Sequence, residues 1–193
     1  MTIEKTFVSA VQNHQKNNFK VAENLYNQIL KIDPNHIKTI FLLGTLSVQT
    51  KNLGRAKQML QKTIQAQPNN VDAYNNLGVV FKEFEEFQKA KDCFEKVIQI
   101  QPKHVDALNN LGNVFKQLNE PQKAINYYQK AIEIEPSYIN AHQNLMEVCE
   151  KTNQITELKD AVLNARTFFK DNSIIKLYEG ILLSRNEKFV EAK

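Results

Sequence analysis

Apolar and small residues form two helical stripes that alternate along this chain with a fixed period. In each unit of 34 residues, positions 4, 7, 8 and 11 are apolar or small, and positions 20, 24 and 27 form a second apolar stripe. Spacings of three and four residues place side chains on one face of an α-helix. Each unit is therefore predicted to be a hairpin of two amphipathic helices.

Proline and glycine mark the same period independently of the apolar stripes. Four prolines lie 34 residues apart, and three glycines share that spacing: Pro34, Pro68, Pro102, Pro136, Gly44, Gly78 and Gly112. A fixed period of this length indicates a repeat architecture. We predict one domain over 1–193, with repeats 3–36, 37–70, 71–104, 105–138 and 139–172, and a truncated repeat 173–193.

Local signals predict where the helices begin and end. Asparagines are expected to form turns or helix caps between the two stripes: Asn17, Asn18, Asn52, Asn119 and Asn153. Asn119 stands two residues before Pro121, which predicts that Asn119 caps a helix whose first turn contains the proline. The proline at position 32 should end the second helix, because it disfavours helical geometry in the residue before it.

Small residues at position 8 are predicted to let the two helices of a hairpin approach closely. Glycine inside a helix costs about 0.5–1 kcal/mol relative to alanine. Gly78 and Gly112 are therefore expected to serve close contact and not helix formation.

The residues of repeat 71–104 resemble the tetratricopeptide repeat family. Its aromatic, Leu-Gly, aromatic, Ala, aromatic and Pro pattern stands at Tyr74, Leu77, Gly78, Phe81, Ala90, Phe94 and Pro102, and repeat 105–138 has the same pattern. The resemblance implies an all-α solenoid, in which helix-turn-helix repeats stack into a right-handed superhelix. It also implies a concave groove that is lined by the first helix of each repeat.

Two parts of the chain depart from the repeat pattern. Repeat 139–172 has Met146 in place of Gly, Leu158 in place of Ala and Lys170 in place of Pro, so we expect a locally distorted superhelix. The last repeat is expected to stop inside its second helix. An apolar final helix without a polar cap favours a fragment of a longer protein over the alternative, a helix that packs on another chain.

The first-helix positions that are not used for packing, namely 2, 5, 6, 9, 12 and 13, carry many amides. They include Asn75, Asn76, Asn109, Asn110, Asn113 and Asn144. An amide side chain offers one acceptor and two donors, which matches a peptide unit. A row of Asn is therefore predicted to hold the backbone of an extended peptide.

This row resembles the asparagine ladder in the repeat domain of O-linked N-acetylglucosamine transferase. The resemblance implies that Asn76, Asn110 and Asn144 are the matching positions, flanked by Asp72 and Asp106. At position 12, Lys82 and Lys116 are candidates to meet an acidic side chain. The alternatives are that Asn satisfies neighbouring groups or water, that Asp complements a helix dipole, and that Lys is solvated.

The first two repeats carry apolar residues on the same stripe. Phe7, Phe41 and Leu42 are predicted to contact a partner, which includes a second copy of the chain. A slip of the repeat register near the N-terminus is the alternative.

Composition excludes several function classes. The net charge is +4, with 25 basic and 21 acidic residues, and no block of like charges predicts a nucleic-acid partner. No apolar stretch approaches the roughly 20 residues of a membrane span.

Cys93 and Cys149 are predicted to be buried apolar residues in a reducing, cytoplasmic setting. The four histidines, His14, His36, His104 and His142, have no metal-binding spacing, so we expect no metal, no cofactor and no catalytic site.

The prediction is a scaffold for protein–protein interaction that binds an extended peptide or a disordered segment in its groove. Two alternatives stay open at this point. The array is the substrate-recognition or assembly part of a larger enzyme of the glycosyltransferase or sulfotransferase type, or it builds a homo-oligomer through its apolar ends.

Overall fold

The computed structural model describes residues 2–191, with side chains through Ser184, and these residues are all-α. In the five complete repeats, the first helix occupies positions 1–13 and the second helix positions 17–30. The helices are α1 Ile3–Gln15, α2 Phe19–Ile32, α3 Ile37–Gln49, α4 Leu53–Ala66, α5 Val71–Glu83, α6 Phe87–Ile100, α7 Val105–Gln117, α8 Pro121–Ile134, α9 Ile139–Lys151, α10 Ile155–Phe168 and α11 Ser173–Glu191. The predicted helix-turn-helix repeat fold is confirmed.

The chain divides into two compact units, Met1–Gln101 and Pro102–Lys193. Unit 1 contains α1–α6 and unit 2 contains α7–α11. Within each unit, the two helices of a hairpin pack on each other. Neighbouring hairpins also stack, with α4 on α5 in unit 1 and α8 on α9 in unit 2. No helix in the described residues is long and apolar enough to cross a membrane.

The two helices of a hairpin meet where a small residue faces a large ring. A Cβ added to Gly78 would lie 2.7 Å from Cε1 of Phe94, and one added to Gly112 would lie 2.5 Å from Cε1 of Tyr128. Phe94 and Tyr128 are fully buried. The ring therefore occupies the space of the missing side chain, and the predicted close approach is confirmed.

Each hairpin turns through one residue in the left-handed region, always at position 15. These residues are Asn17, Lys51, Glu85, Asn119 and Asn153, with φ between 56° and 59°. In repeat 71–104, the amide of Glu86 donates to the carbonyl of Phe81 and the amide of Glu85 to that of Lys82. This pair of bonds is a Schellman motif, which satisfies the last carbonyls of the first helix.

The turn corrects one expectation. Asn119 does not cap α8, because it is the left-handed residue that ends α7. The N-cap of α8 is Glu120, and Pro121 stands in the first turn as predicted. Asn tolerates positive φ better than most residues, and this tolerance accounts for its recurrence at position 15. Asn52 does cap α4, since its side chain accepts from the amide of Arg55.

Three second helices end just before a C-cap residue that has non-helical backbone angles and precedes a proline. Gln67, Gln101 and Glu135 are the C-caps, with φ between −131° and −134°, and each precedes a proline. Phe169 has a φ of −132° although Lys170 replaces the proline after it. The end of the second helix therefore does not depend on proline alone.

Repeat 139–172 keeps the hairpin but packs it differently. Met146 and Leu158 replace the usual small residues, and both are fully buried. The helices α9 and α10 contact each other less extensively than those of the four earlier hairpins. Larger side chains at the two small positions give a physical reason for the looser contact.

The expected second helix of the last repeat is wrong for the described residues. Ser173–Glu191 forms one continuous helix with no turn at position 15. Continuing a helix adds a backbone hydrogen bond at each residue, whereas a turn must be offset by the packing of a second helix. Residues 192 and 193 of the predicted repeat lie outside the described residues.

His142 is a fully buried polar residue at position 4 of repeat 139–172. Its Nε2 lies 2.9 Å from the carbonyl oxygen of Pro136, which can only accept, so Nε2 carries the proton. Its Nδ1 is buried without a hydrogen-bond partner among the described residues. Burial lowers the pKa of His142 below 6.5, and the bond to Pro136 opposes this shift.

Replacement of Gly112 by Ala should lower the free energy of unfolding by about 1–3 kcal/mol, because the new methyl group overlaps the buried Tyr128 ring. Gly180→Ala is the matched control, since nothing lies within 4 Å of its added Cβ. The control should gain up to about 1 kcal/mol from higher helix propensity. Urea denaturation followed by circular dichroism measures both. Equal stability of the two variants would contradict the packing role of Gly112.

Replacement of Glu85 by Gly should raise the free energy of unfolding by about 0.5–1 kcal/mol, because glycine adopts a φ of 58° without strain. Gln61→Gly, at an exposed position inside α4, should instead cost about 1 kcal/mol. The same denaturation experiment compares the pair. A loss of stability in both variants would show that position 15 carries no strain.

His142 should make stability depend on pH. Its folded pKa is lowered, so below about pH 6.5 the unfolded chain gains a proton that the folded chain resists. Its contribution is therefore present above pH 6.5 and is lost as the pH falls towards the folded pKa. The unfolding free energy of the wild type minus that of His142→Leu should therefore decrease as the pH is lowered from 7.5 to 5.5. A difference that is constant with pH would rule out this linkage.

Candidate binding surfaces on the first helices

In unit 2, two of the predicted amides bind each other across neighbouring first helices. The Nδ2 of Asn144 on α9 donates to Oδ1 of Asn109 on α7 at 2.9 Å. Asn109 is only 6% exposed, so this pair is a structural link between the two repeats. The link fixes the orientation of both side chains before any ligand arrives.

Asn110 stands apart from this pair. Its side chain is half-buried on α7, next in sequence to Asn109. No hydrogen bond to it is formed within residues 2–184, whereas Asn109, Asn113 and Asn144 all have one. Both of its donors and its acceptor are therefore available to a ligand.

Two tyrosines orient further polar residues of unit 2. The hydroxyl of Tyr128 donates to Oδ1 of Asn113 at 2.8 Å, and that of Tyr138 donates to Oδ1 of Asp106 at 2.6 Å. Burial, together with the bond to Asp106, raises the pKa of Tyr138 to about 12. Both hydroxyls therefore stay protonated near neutral pH and act as donors.

Lys116 is neutralised by a carboxylate of the next repeat. Its Nζ lies 3.0 Å from Oε2 of Glu147, whose Oε1 contacts Nζ of Lys151 at 2.6 Å. Hydrogen bonds from Lys151, and then from Lys116, hold the pKa of Glu147 below its usual value. Glu147, at position 9 of repeat 139–172, was missed by sequence reasoning, although its spacing from Lys116 was a usable signal.

Unit 1 places its predicted polar residues in a different way. The Nδ2 of Asn76 donates to Oγ1 of Thr45 on the preceding first helix at 3.2 Å. Oδ1 of Asn75 is buried and has no hydrogen-bond partner among the described residues. Asp72 is exposed and Lys82 is half-buried.

The three predicted apolar contact residues of unit 1 are all half-buried. Phe7 packs edge-on against the imidazole of His36, with ring centroids 5.5 Å apart. Leu42 packs against the core cluster that contains Leu43 and Leu46. Each of these residues thus contributes to the fold and also presents part of its side chain to solvent. Val8, on the same helix as Phe7, is 50% exposed.

The cysteines and histidines have structural positions in the described residues. Cys93 and Cys149 are buried, and burial raises the pKa of their thiols to about 12 and about 11. His36 and His104 are N-caps that accept from the backbone amides of Thr39 and Ala107. Residues 2–184 contain no group of three or more His, Cys, Asp or Glu side chains that could hold a metal ion.

Comparison with known proteins identifies the repeat. One family profile described as "Tetratricopeptide repeat" matches residues 71–104 and 105–138, and a second profile with the same description matches residues 14–78. No curated protein matches the sequence of the chain.

Solved structures share the fold over most of the chain. A crystal structure of MamA is 26% identical, with a TM-score of 0.78, and the alignment covers 87% of this chain and 92% of MamA. YrrB, described as a TPR protein with an unusual peptide-binding site, is 16% identical with a TM-score of 0.75 over 91% of this chain and 90% of YrrB. Pseudomonas aeruginosa pilF is also 16% identical, with a TM-score of 0.75 over 99% of this chain and 97% of pilF. At 16% identity these two likenesses concern the fold alone.

The two profiles together span residues 14–138, more than half of the 193-residue chain. The chain belongs to the tetratricopeptide repeat family.

Proposed function

We propose that the chain is a protein-interaction scaffold without catalysis of its own, and that the first helices of unit 2 bind an extended peptide segment of a partner. The observation that carries the proposal is the side chain of Asn110, which is half-buried and has no hydrogen-bond partner within residues 2–184. A half-buried amide without a partner loses part of its hydration, and a peptide group from a ligand can replace it.

The surroundings of Asn110 support peptide binding because they are already ordered. Asn109 and Asn144 hold each other, and Tyr128 holds Asn113. A ligand then orders few side chains on binding, which lowers the entropic cost of association. Asn144 keeps Oδ1 for a peptide N–H, since the bond to Asn109 uses only its Nδ2.

Charge on this surface is only partly compensated within the chain. Lys116 is paired with Glu147, whereas Asp106 accepts from the neutral hydroxyl of Tyr138, which does not compensate its charge. Neutral amides are the main groups, beside the carboxylate of Asp106, that a peptide would meet. Recognition through them favours the peptide backbone over particular side chains, so we propose broad sequence tolerance.

Unit 1 is proposed to bind peptide by a second chemistry. Asn76 and Asp72 supply polar contacts, while the exposed parts of Phe7, Phe41 and Leu42 supply an apolar anchor. The unpartnered Oδ1 of Asn75 is an acceptor for a ligand N–H once that side chain moves to reach it. Lys82 is proposed to meet an acidic group of the peptide.

The family supports a binding role in general, since YrrB of the same fold is described by its peptide-binding site. The finer alternatives, namely a recognition module of a larger glycosyltransferase or sulfotransferase and a homo-oligomer through apolar ends, stay predictions.

Asn110→Ala should weaken peptide binding by about tenfold, because it removes one or two hydrogen bonds of about 0.5–1.5 kcal/mol each. The probes are peptides enriched from a random 12-residue display library on the wild-type chain. Fluorescence anisotropy with labelled copies of these peptides gives the dissociation constants.

Asn126→Ala is the matched control, because Asn126 is exposed on a second helix and the same atoms are removed. Its affinity should equal that of the wild type, and circular dichroism should show equal helicity for all three proteins. Enriched peptides that bind both variants with equal affinity would refute the role of Asn110. Failure of any peptide to be enriched would refute the wider proposal.

A further inference from the structure

A groove in unit 2 lies between two second helices. It has a volume of about 350 Å³ and is lined by residues of α8, α9 and α10. Gln129, Ile132 and Glu133 follow the i, i+3, i+4 spacing of one face of α8, and the α10 residues follow the same spacing. The groove runs between two helical faces, and none of the first-helix candidates described above lines it.

The floor of the groove is apolar and nearly closed. Ile132, Leu145 and Ala161 line it and are 7%, 5% and 5% exposed. Leu145 comes from α9, which follows α8 and precedes α10 along the chain and is the first helix of repeat 139–172. These side chains offer a shallow apolar strip on which a methylene chain can lie.

The rim of the groove is acidic and lacks compensation. Glu133, Glu157 and Asp160 are exposed, and none of them forms an ion pair within residues 2–184. This contrasts with Glu147 on the first-helix side, which contacts two lysines. The lysines nearest in sequence do not line the groove, and Nζ of Lys130 lies over the ring of Tyr127 at 5.1 Å.

We propose that this groove is a second docking site, and that its occupant is a partner segment rich in arginine or lysine. Long basic side chains combine an aliphatic stem, which fits the strip of Ile132, Leu145 and Ala161, with a cationic head that reaches the rim. Arginine fits best, because its guanidinium donates to several carboxylate and amide oxygens at once. Gln129 and Asn164 supply such amide oxygens beside the carboxylates.

Charge supports a basic occupant over an acidic or neutral one. Three like charges repel each other around one groove, although the chain as a whole carries +4. A cationic segment relieves this repulsion and is steered towards the groove at low salt. The site differs from the peptide surface on the first helices, which presents mainly neutral amides, so one chain can bind two segments of different chemistry.

The test titrates the ¹⁵N-labelled chain with a 12-residue peptide of alternating arginine and alanine, and with the same peptide carrying glutamine for every arginine. Backbone amide shifts of α8 and α10 should saturate with the arginine peptide and stay unchanged with the glutamine peptide. In the triple variant Glu133→Gln, Glu157→Gln and Asp160→Asn, the dissociation constant should rise about tenfold. Binding should also weaken as the salt concentration rises.

A second triple variant, Glu4→Gln, Glu85→Gln and Glu135→Gln, removes the same charge from exposed acids outside the groove. It should bind like the wild type, which would show that the carboxylates of the groove matter and not the net charge of the chain.

Gln129→Trp is an exposed substitution at the rim. It should block the groove while all three carboxylates stay intact. Equal binding by the two triple variants, or unimpaired binding by Gln129→Trp, would overturn the proposal. So would light scattering that shows a dimer of the chain alone, abolished by the groove triple variant, because the occupant would then be a second copy. Asn110→Ala should leave this binding unchanged.

Discussion

The hairpins of repeats 37–70, 71–104 and 105–138 each depend on one contact between a small residue and a buried large side chain. At position 8 of the first helix, Gly78 and Gly112 leave room for the rings of Phe94 and Tyr128, which fill that space from position 24 of the second helix. The close approach lets the remaining apolar positions of both helices bury their side chains together. Where Met146 takes position 8, the smaller Val162 stands at position 24, and the hairpin survives with less extensive contact between its helices.

The turn that joins the two helices is fixed with equal regularity, although by the backbone. All five turns place position 15 in the left-handed region and close with the same pair of backbone hydrogen bonds. Three of these residues are asparagine, which tolerates the conformation, while Lys51 and Glu85 adopt it with more strain. Packing between the two helices outweighs this local cost, so the bounds of the helices repeat regardless of residue type.

A scaffold that is fixed in this way leaves other positions free to vary in chemistry. On the first helices of unit 2, amides pair with amides and lysine with glutamate, and Asn110 is left without a partner within the described side chains. On the second helices, three carboxylates surround an apolar strip and stay unpaired there. The two surfaces differ because the hairpin contact constrains only the positions between the helices. Packing does not restrict the residue types at the outward positions, which contact solvent or ligands.

The sequence by itself determined the helical class, the period, the two helical stripes of each complete repeat and the close contacts of Gly78 and Gly112, because these follow from local spacing and residue size repeated many times. Its pattern also indicated the candidate amides, although not their burial or their hydrogen-bond partners. Only the tertiary structure decided that Asn109 is buried against Asn144, that Lys116 is neutralised by Glu147, and that Asn119 ends a helix and does not begin one. The continuous α11 and the acidic-rimmed groove belong with these findings. Each depends on which side chains of neighbouring repeats come within hydrogen-bond or ion-pair distance, and a period along the chain fixes the spacing of residues but not the partners that packing brings to them.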